Sequence, residues 1–218
     1  TAGDYRIFGV SHSATQLGGD YFDLKLLPDG RIFFLIGDVS GHGIPAALIM
    51  AMAKALVEKE CESQTTTEKI MLPFNRLIFK TMKWRRMMTC FMGILDPKAN
   101  NLTLTNAGHN YPFFFHQGEP PVNVEIRSAP LGTSKVPKLS TKVIQMLPGD
   151  RIFFYTDGLI EEKSNGAILG YDTVLEKVAR TITFDPKSSC LDIIQWHRSL
   201  TGNAPQEDDI TIAILSRA

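Results

Sequence analysis

The chain has 218 residues, of which 44% are hydrophobic, enough for a domain-sized core and far from a disordered composition. Its 23 basic and 23 acidic residues cancel, so no overall field draws it to nucleic acid or to an anionic membrane. No apolar run nears the ~20 residues that span a bilayer, and Thr1-Ala2-Gly3-Asp4 has neither the basic nor the apolar region of a signal peptide.

Cys61, Cys90 and Cys190 are odd in number and widely spaced. That is neither a disulfide framework nor a thiolate metal site, and it reads as three reduced, packed thiols in a cytoplasmic protein. The abrupt start at Thr1 reads as the cut edge of a longer chain. No repeat, linker or low-complexity tract divides the sequence, so residues 1–218 are expected to form a single domain.

The first strand is expected at residues 5–12. Gly18-Gly19-Asp20 leads into a second strand at 21–27, Pro28-Asp29-Gly30 turns the chain, and residues 31–36 return as a third. Asp20 lies eight residues before Pro28 and Asp38 eight after Gly30, so the hairpin brings the two acids together at its open end. Gly37-Asp38-Val39-Ser40-Gly41-His42-Gly43 follows the third strand as a turn loosened by glycine, whose backbone lets a ligand approach closely.

Pro45 suits the first turn of a helix running to about residue 60. Thr65-Thr66-Thr67-Glu68 has the form of a capping box with Thr65 as N-cap. The second helix should run to about Lys83, with Pro73 causing a break or a late start. Trp84-Arg85-Arg86 reads as a cation cluster at its C-terminus.

Strands follow at 89–95, 102–106 and 112–116. Between the last two, the polar loop Asn106-Ala107-Gly108-His109-Asn110 carries a histidine read as a surface or hydrogen-bonding residue. Further strands at 142–147 and 151–156 flank Pro148-Gly149-Asp150, and the second ends in Asp157-Gly158. Asp172 is expected to cap a helix at 173–180, and another helix spans 188–199. Gln206-Glu207-Asp208-Asp209 then opens a last strand at 210–215. Antiparallel hairpins plus two helical pairs read as α+β, and two stacked sheets flanked by helices would use every apolar face.

Asp20, Asp38, Asp157 and Asp208, with Asp209 beside it, all lie at strand ends in separate parts of the chain. Gathered together they could not all be ionised without a cation. No His-x-x-x-His or Cys-x-x-Cys accompanies them, and an all-oxygen set suits hard divalent ions, Mg²⁺ or Mn²⁺. Two such ions ~3.5–4 Å apart would activate a bridging water and clamp a phosphoryl group.

Gly18-Gly19-Asp20-Tyr21-Phe22-Asp23, the Gly37–Gly43 loop, Asn106-Ala107-Gly108-His109-Asn110, Pro148-Gly149-Asp150 with Tyr155-Thr156-Asp157-Gly158-Leu159-Ile160-Glu161, and Asp208-Asp209-Ile210-Thr211 occur in that order. Together they resemble the SpoIIE/RsbU-type branch of the PP2C (PPM) metal-dependent serine/threonine phosphatases. The resemblance implies an α-β-β-α sandwich holding two Mn²⁺ or Mg²⁺ ions. It implies that Asp38 bridges them, that the Val39 carbonyl binds one, and that Asp20, Asp157 and Asp208 or Asp209 complete the protein ligands, with Asp23 behind them. Asp38 and Asp157 are the expected catalytic positions.

The implied substrate is phosphoserine or phosphothreonine on a small STAS-type anti-anti-sigma protein. The implied activator is an upstream sensor or receiver domain or a separate protein, acting through the helices at 45–60 and 65–83. A homodimer is compatible with this, and contact with nucleic acid or membrane is not expected. Animal-type relatives carry a histidine where Ser40 stands, while His42 comes two residues later, so the proton donor is unassigned. No phosphate-binding arginine has an equivalent. Two rival readings are a phosphatase-like module that only sequesters a partner and a diguanylate cyclase, whose signature needs an acid where Tyr21 stands.

Overall fold

The computed structural model describes residues 2–14, 18–41, 43–63, 65–82, 86–164, 167–201 and 206–218. The chain divides into two compact units, one comprising residues 15–109 and 126–146 and the other residues 1–14, 110–125 and 147–218.

The first unit is built on the hairpin of β2 (Asp20–Leu26) and β3 (Ile32–Val39), extended by β4 (Met88–Asp96), β5 (Asn101–Ala107) and β8 (Ser140–Gln145) in the order β2-β3-β4-β5-β8, every pairing antiparallel. Its helices are α1 (Ile44–Cys61) and α2 (Thr67–Met82). Ala46, Ile49, Ala53, Val57 and Cys61 recur at helical spacing on α1. They are buried in one cluster with Ile70, Met71, Phe74 and Ile78 of α2 and with Phe33, Leu35, Met88, Cys90 and Met92 of the sheet. Asp23 joins sheet to helix: its buried carboxylate accepts from the Tyr21 hydroxyl at 2.8 Å and from Lys54 Nζ at 2.9 Å.

Two expectations shift here. The α2 cap is Thr66, whose hydroxyl accepts from the Lys69 N–H at 3.3 Å, while Glu68 accepts from the Thr141 hydroxyl on β8. Tertiary bonding has taken the glutamate that a capping box would use. Pro73 lies inside a continuous helix rather than breaking it. A proline costs about 3 kcal/mol in a helix interior, which the buried Ile70–Met71–Phe74–Ile78 face has to offset.

The second unit carries β1 (Tyr5–His12), β6 (Phe113–Phe115), β7 (Val122–Asn123), β9 (Arg151–Tyr155) and β12 (Ile210–Arg217), ordered β1-β12-β9-β6-β7. Phe113 stacks on Tyr155 with ring centroids 5.0 Å apart, and α4 (Gly170–Thr181) and α5 (Pro186–Thr201) bury Val174, Val178, Cys190 and Ile193 against this sheet. The helix α3 (Gly158–Glu161) and the hairpin β10–β11 (Lys163–Ser164, Ala167–Ile168) follow β9 and were not expected. With two five-stranded antiparallel sheets, each bearing two long helices, the α+β class holds. Among the described residues no helix is long and apolar enough to cross a membrane.

Candidate metal centre

In the first unit, Asp20 pairs with Asp38 across the β2–β3 ladder. The chain geometry explains the match: the 28–30 turn closes at Leu27, where the Gly30 N–H donates to the Leu27 carbonyl at 2.9 Å. Equal arms on either side then bring the two acids level. β3 also runs further than its apolar stretch predicts. Gly37, Asp38 and Val39 remain in the strand, opposite Cys90, Thr89 and Met88 of β4, so Asp38 is held by a ladder on both sides.

The glycines here answer to close approach. A Cβ on residue 19 would lie 2.7 Å from the Val39 carbonyl oxygen and 2.8 Å from Asp38 Oδ1, so only glycine leaves that cradle open. A Cβ on residue 37 would meet the Thr89 carbonyl oxygen at 2.6 Å, which fixes glycine there as well.

Beyond Val39 the loop is tied from two directions. The Val39 N–H donates to the Gly19 carbonyl at 3.0 Å. The Ser40 N–H donates to the Met87 carbonyl, and the Met87 N–H donates back to the Ser40 hydroxyl, each at 3.0 Å. The Arg86 guanidinium donates to the Ser40 carbonyl through Nη1 and occupies the space that a side chain on Gly41 would fill. Arg86 is therefore a brace on this loop and not only a helix-end cation. Trp84, Arg85 and His42 lie outside the described residues. His109 is buried rather than on the surface, its Nδ1 2.8 Å from the hydroxyl of Thr89, the residue opposite Asp38. Asn106 fixes that histidine's backbone, accepting from the His109 N–H at 2.8 Å and donating to the His109 carbonyl at 3.0 Å.

In the second unit, Asp157 follows β9 and begins α3, its carbonyl accepting from the Ile160 and Glu161 N–H groups at 2.9 Å. A Cβ on Gly158 would fall 2.1 Å from the Asp209 carbonyl oxygen, so glycine lets the 208–209 segment close against this turn. Asp208 feels the consequence: burial of part of its carboxyl, then the neighbouring charges of Asp157, Asp209 and Glu162, raise its pKa. Asp209 is turned elsewhere, buried with Oδ1 accepting from the Ala14 N–H at 2.7 Å. A cleft beside Asp208 is lined by Gly158, Glu161, Glu162 and Glu207, the last paired with Lys163 at 2.8 Å.

The structure thus unites Asp20, Asp38 and the Val39 carbonyl in one unit and Asp157, Asp208 and Asp209 in the other. Within neither unit do three or more His, Cys, Asp or Glu of the described residues gather closely enough to hold an ion by themselves. The donors fit a hard cation: all are oxygen, Asp20 and Asp38 are partners across the ladder, and the cradle beside them is open only because residue 19 is glycine.

Residues 28–218 match the family model described as Stage II sporulation protein E (SpoIIE). The chain belongs to the SpoIIE family. Its match begins after Gly18-Gly19-Asp20, so the place of Asp20 in this SpoIIE-family chain rests on the register opposite Asp38. Protein IcfG of Synechocystis is 27% identical over 98% of this chain and 38% of its own length. Phosphoserine phosphatase RsbU of Bacillus subtilis is 26% identical over 75% of this chain and 49% of its own. The chain therefore spans half or less of the length of these relatives. Among solved structures, the RsbU and RsbW domains of Rv1364c from Mycobacterium tuberculosis superpose with a TM-score of 0.82 at 26% identity, over 98% of this chain and 61% of that one. The same PP2C-type fold is shared with RsbX in complex with magnesium (TM-score 0.70, 17% identity, covering 98% of this chain and 94% of that one) and with PstP in complex with two manganese ions (0.72, 13%, 97% and 97%).

Proposed function

We propose that this SpoIIE-family chain hydrolyses phosphoserine or phosphothreonine on a protein, using two divalent cations, Mn²⁺ or Mg²⁺. The observation that carries the reading is the Asp20–Asp38 pair with the Val39 carbonyl beside it. Two acidic residues are cross-strand partners there, an arrangement that suits a cation. Asp157 and Asp208 are the remaining carboxylate ligands in this reading. Asp208 is preferred to Asp209 because Asp208 is exposed in the cleft, whereas the Asp209 side chain is buried with Oδ1 on the Ala14 N–H.

When bound, such ions supply the Lewis acidity that activates water and neutralises phosphoryl oxygens. The chain's own residues hold the geometry. The two ladders fix Asp38, Gly19 keeps the cradle open, and Arg86 with Met87 pins the loop that carries the Val39 carbonyl.

The substrate is a small STAS-type anti-anti-sigma protein, as the family resemblance implies, and the similarity to the phosphoserine phosphatase RsbU supports a phosphoserine target. An upstream sensor or receiver domain, or a separate activator, regulates the reaction through α1 and α2, and the compartment is the cytoplasm. The single domain expected over residues 1–218 is the phosphatase domain in this proposal. Purified protein should hydrolyse p-nitrophenyl phosphate and a phosphoserine protein only with Mn²⁺ or Mg²⁺ present. Turnover that persists in excess EDTA, or in both Asp38→Asn and Asp157→Asn, defeats the proposal.

A further inference from the structure

We propose that a groove between α2 and residues 135–136 docks an acidic amphipathic helix of the protein substrate. The groove encloses about 430 Å³ and is lined by Arg76, Phe79, Lys80, Lys135 and Val136. Its floor is apolar and partly open, with Val136 exposing 75% of its surface. Its rim is entirely basic. Arg76 and Lys80 stand one turn apart on α2 with Lys135 on the other wall, and none of the three makes an ion pair among the described residues.

The charge is local, because the chain as a whole is neutral. Residues 127–142, the stretch that supplies Lys135 and Val136 to the groove, contain Arg127, Lys135, Lys138 and Lys142 and no acid. A ligand complementary to this surface places an apolar side chain in the groove and carboxylates on both sides of it. An amphipathic helix does that with apolar residues one turn apart and Asp or Glu flanking them.

The groove is anchored to the acid pair, which is why the occupant is assigned as substrate; this step rests on the phosphatase reading. Asn75 of α2 accepts from the Gly132 N–H at 2.9 Å and donates to the Ser134 carbonyl at 2.9 Å, fixing the wall to the helix. Leu131 exchanges backbone bonds of 2.8 and 3.1 Å with Met88, and Met88 pairs with Val39. Two strand spacings of about 4.8 Å and four residues of chain at about 3.4 Å put Lys135 within roughly 25 Å of Val39. A small domain is about 30 Å across, so one protein can fill the groove and present its phosphoserine to the acid pair.

The test uses a fluorescein-labelled helical peptide of about 18 residues, with leucine on one face and glutamate elsewhere, followed by anisotropy. Wild-type protein should bind it, and Arg76→Glu with Lys80→Glu, or Val136→Asp alone, should weaken binding at least about 10-fold. Both variants should hydrolyse p-nitrophenyl phosphate as wild type does, which shows that the fold is intact. Joined through a Gly/Ser linker of about 20 residues, which spans ~25 Å, to a phosphoserine, the same peptide should show a KM at least about 10-fold below that of the linker phosphopeptide alone. The charge-reversed variant should lose that advantage with kcat unchanged. Equal binding by wild type and variants, or a KM indifferent to the acidic helix, overturns the proposal. Absence of any turnover by wild type would instead defeat the phosphatase reading, and the binding measurement separates the two.

Discussion

Asp20 and Asp38 are direct partners across the β2–β3 ladder, and their pair is of the close kind. The Val39 N–H bond to the Gly19 carbonyl makes 19/39 a hydrogen-bonded pair. The alternation of antiparallel ladders then makes 20/38 a non-hydrogen-bonded one, with Cα atoms about 4.5 Å apart and side chains closest. Two carboxylates about 5 Å apart repel by roughly 1–3 kcal/mol, depending on how far water screens them. A cation held between them would remove that repulsion.

Neutralising one of these acids should move activity and stability in opposite directions. Asp38→Asn removes a ligand and the repulsion together. Mn²⁺-dependent hydrolysis of p-nitrophenyl phosphate should fall at least about 1,000-fold. In EDTA, the same variant should unfold with a stability equal to wild type or greater by about 1 kcal/mol. Urea melts with and without EDTA check this, and a variant less stable than wild type in EDTA would show that Asp38 has a structural role instead.

Metal should stabilise the folded protein and change its pH response. At about 100 times its Kd an ion contributes about 2.7 kcal/mol, which is a rise in Tm of roughly 5–10 °C for a chain of this size. The metal-free protein carries a further signature at Asp208, whose pKa is raised above the ordinary 3.8 by burial and by Asp157, Asp209 and Glu162. The folded state holds that proton more tightly than the unfolded chain does. Its contribution is present below pH 3.8 and is lost as pH rises through the raised value. In EDTA, wild type should lose stability relative to Asp208→Asn as pH rises across that window; differential scanning fluorimetry at a series of pH values reads both effects.

The parts of this arrangement that were legible in sequence are those set by local counting. Turn residues at 28–30 and equal arms were enough to place Asp20 against Asp38, because strand pairing from a tight turn has one register. The relation of Asp157 to Asp208 depends on β9 lying beside β12, a pairing of distant segments that no local pattern announces. It is visible in sequence only as a likeness to a family. The four-residue α3 is too short to show a helical period. Arg86 was missed for a similar reason: its partner, the Ser40 carbonyl, lies 46 residues away, and a backbone acceptor leaves no mark on composition. Thr66 rather than Thr65 caps α2 because Glu68 is drawn to Thr141 on β8, a tertiary preference outweighing a local one.

The cysteines should be silent towards reagents in the native state. Cys61, Cys90 and Cys190 are all free and buried. Burial pushes the Cys61 thiol up to about 11, with Lys25 opposing and Asp23 reinforcing, and burial pushes Cys190 to about 12. Thiolate is the reactive form, so at pH 8 both are far below their titration range. Ellman's reagent should find no rapidly reacting thiol in the native protein and all three in guanidinium; a fast-reacting thiol in the native protein contradicts this packing.

Arg86 should set how tightly the loop binds metal rather than how fast the loaded enzyme turns over. Its guanidinium holds the Ser40 carbonyl, and Met87 holds the Ser40 N–H and hydroxyl, so the peptide after Val39 is fixed from the β4 side. Groups that orient metal ligands typically change affinity by 10–100-fold when removed. Arg86→Ala should raise the Mn²⁺ concentration for half-maximal activity by about that factor, with kcat at saturating Mn²⁺ within about twofold of wild type. The loss of one charged hydrogen bond at a half-buried position should cost no more than about 1–2 kcal/mol of stability. Arg86→Lys, which keeps the charge but not the planar fork, should recover part of the affinity. A Mn²⁺ titration followed by p-nitrophenyl phosphate turnover and by isothermal calorimetry separates the cases. An Mn²⁺ dependence unchanged in Arg86→Ala would mean that the strand pairings of Asp38 and Val39 hold the loop without the arginine.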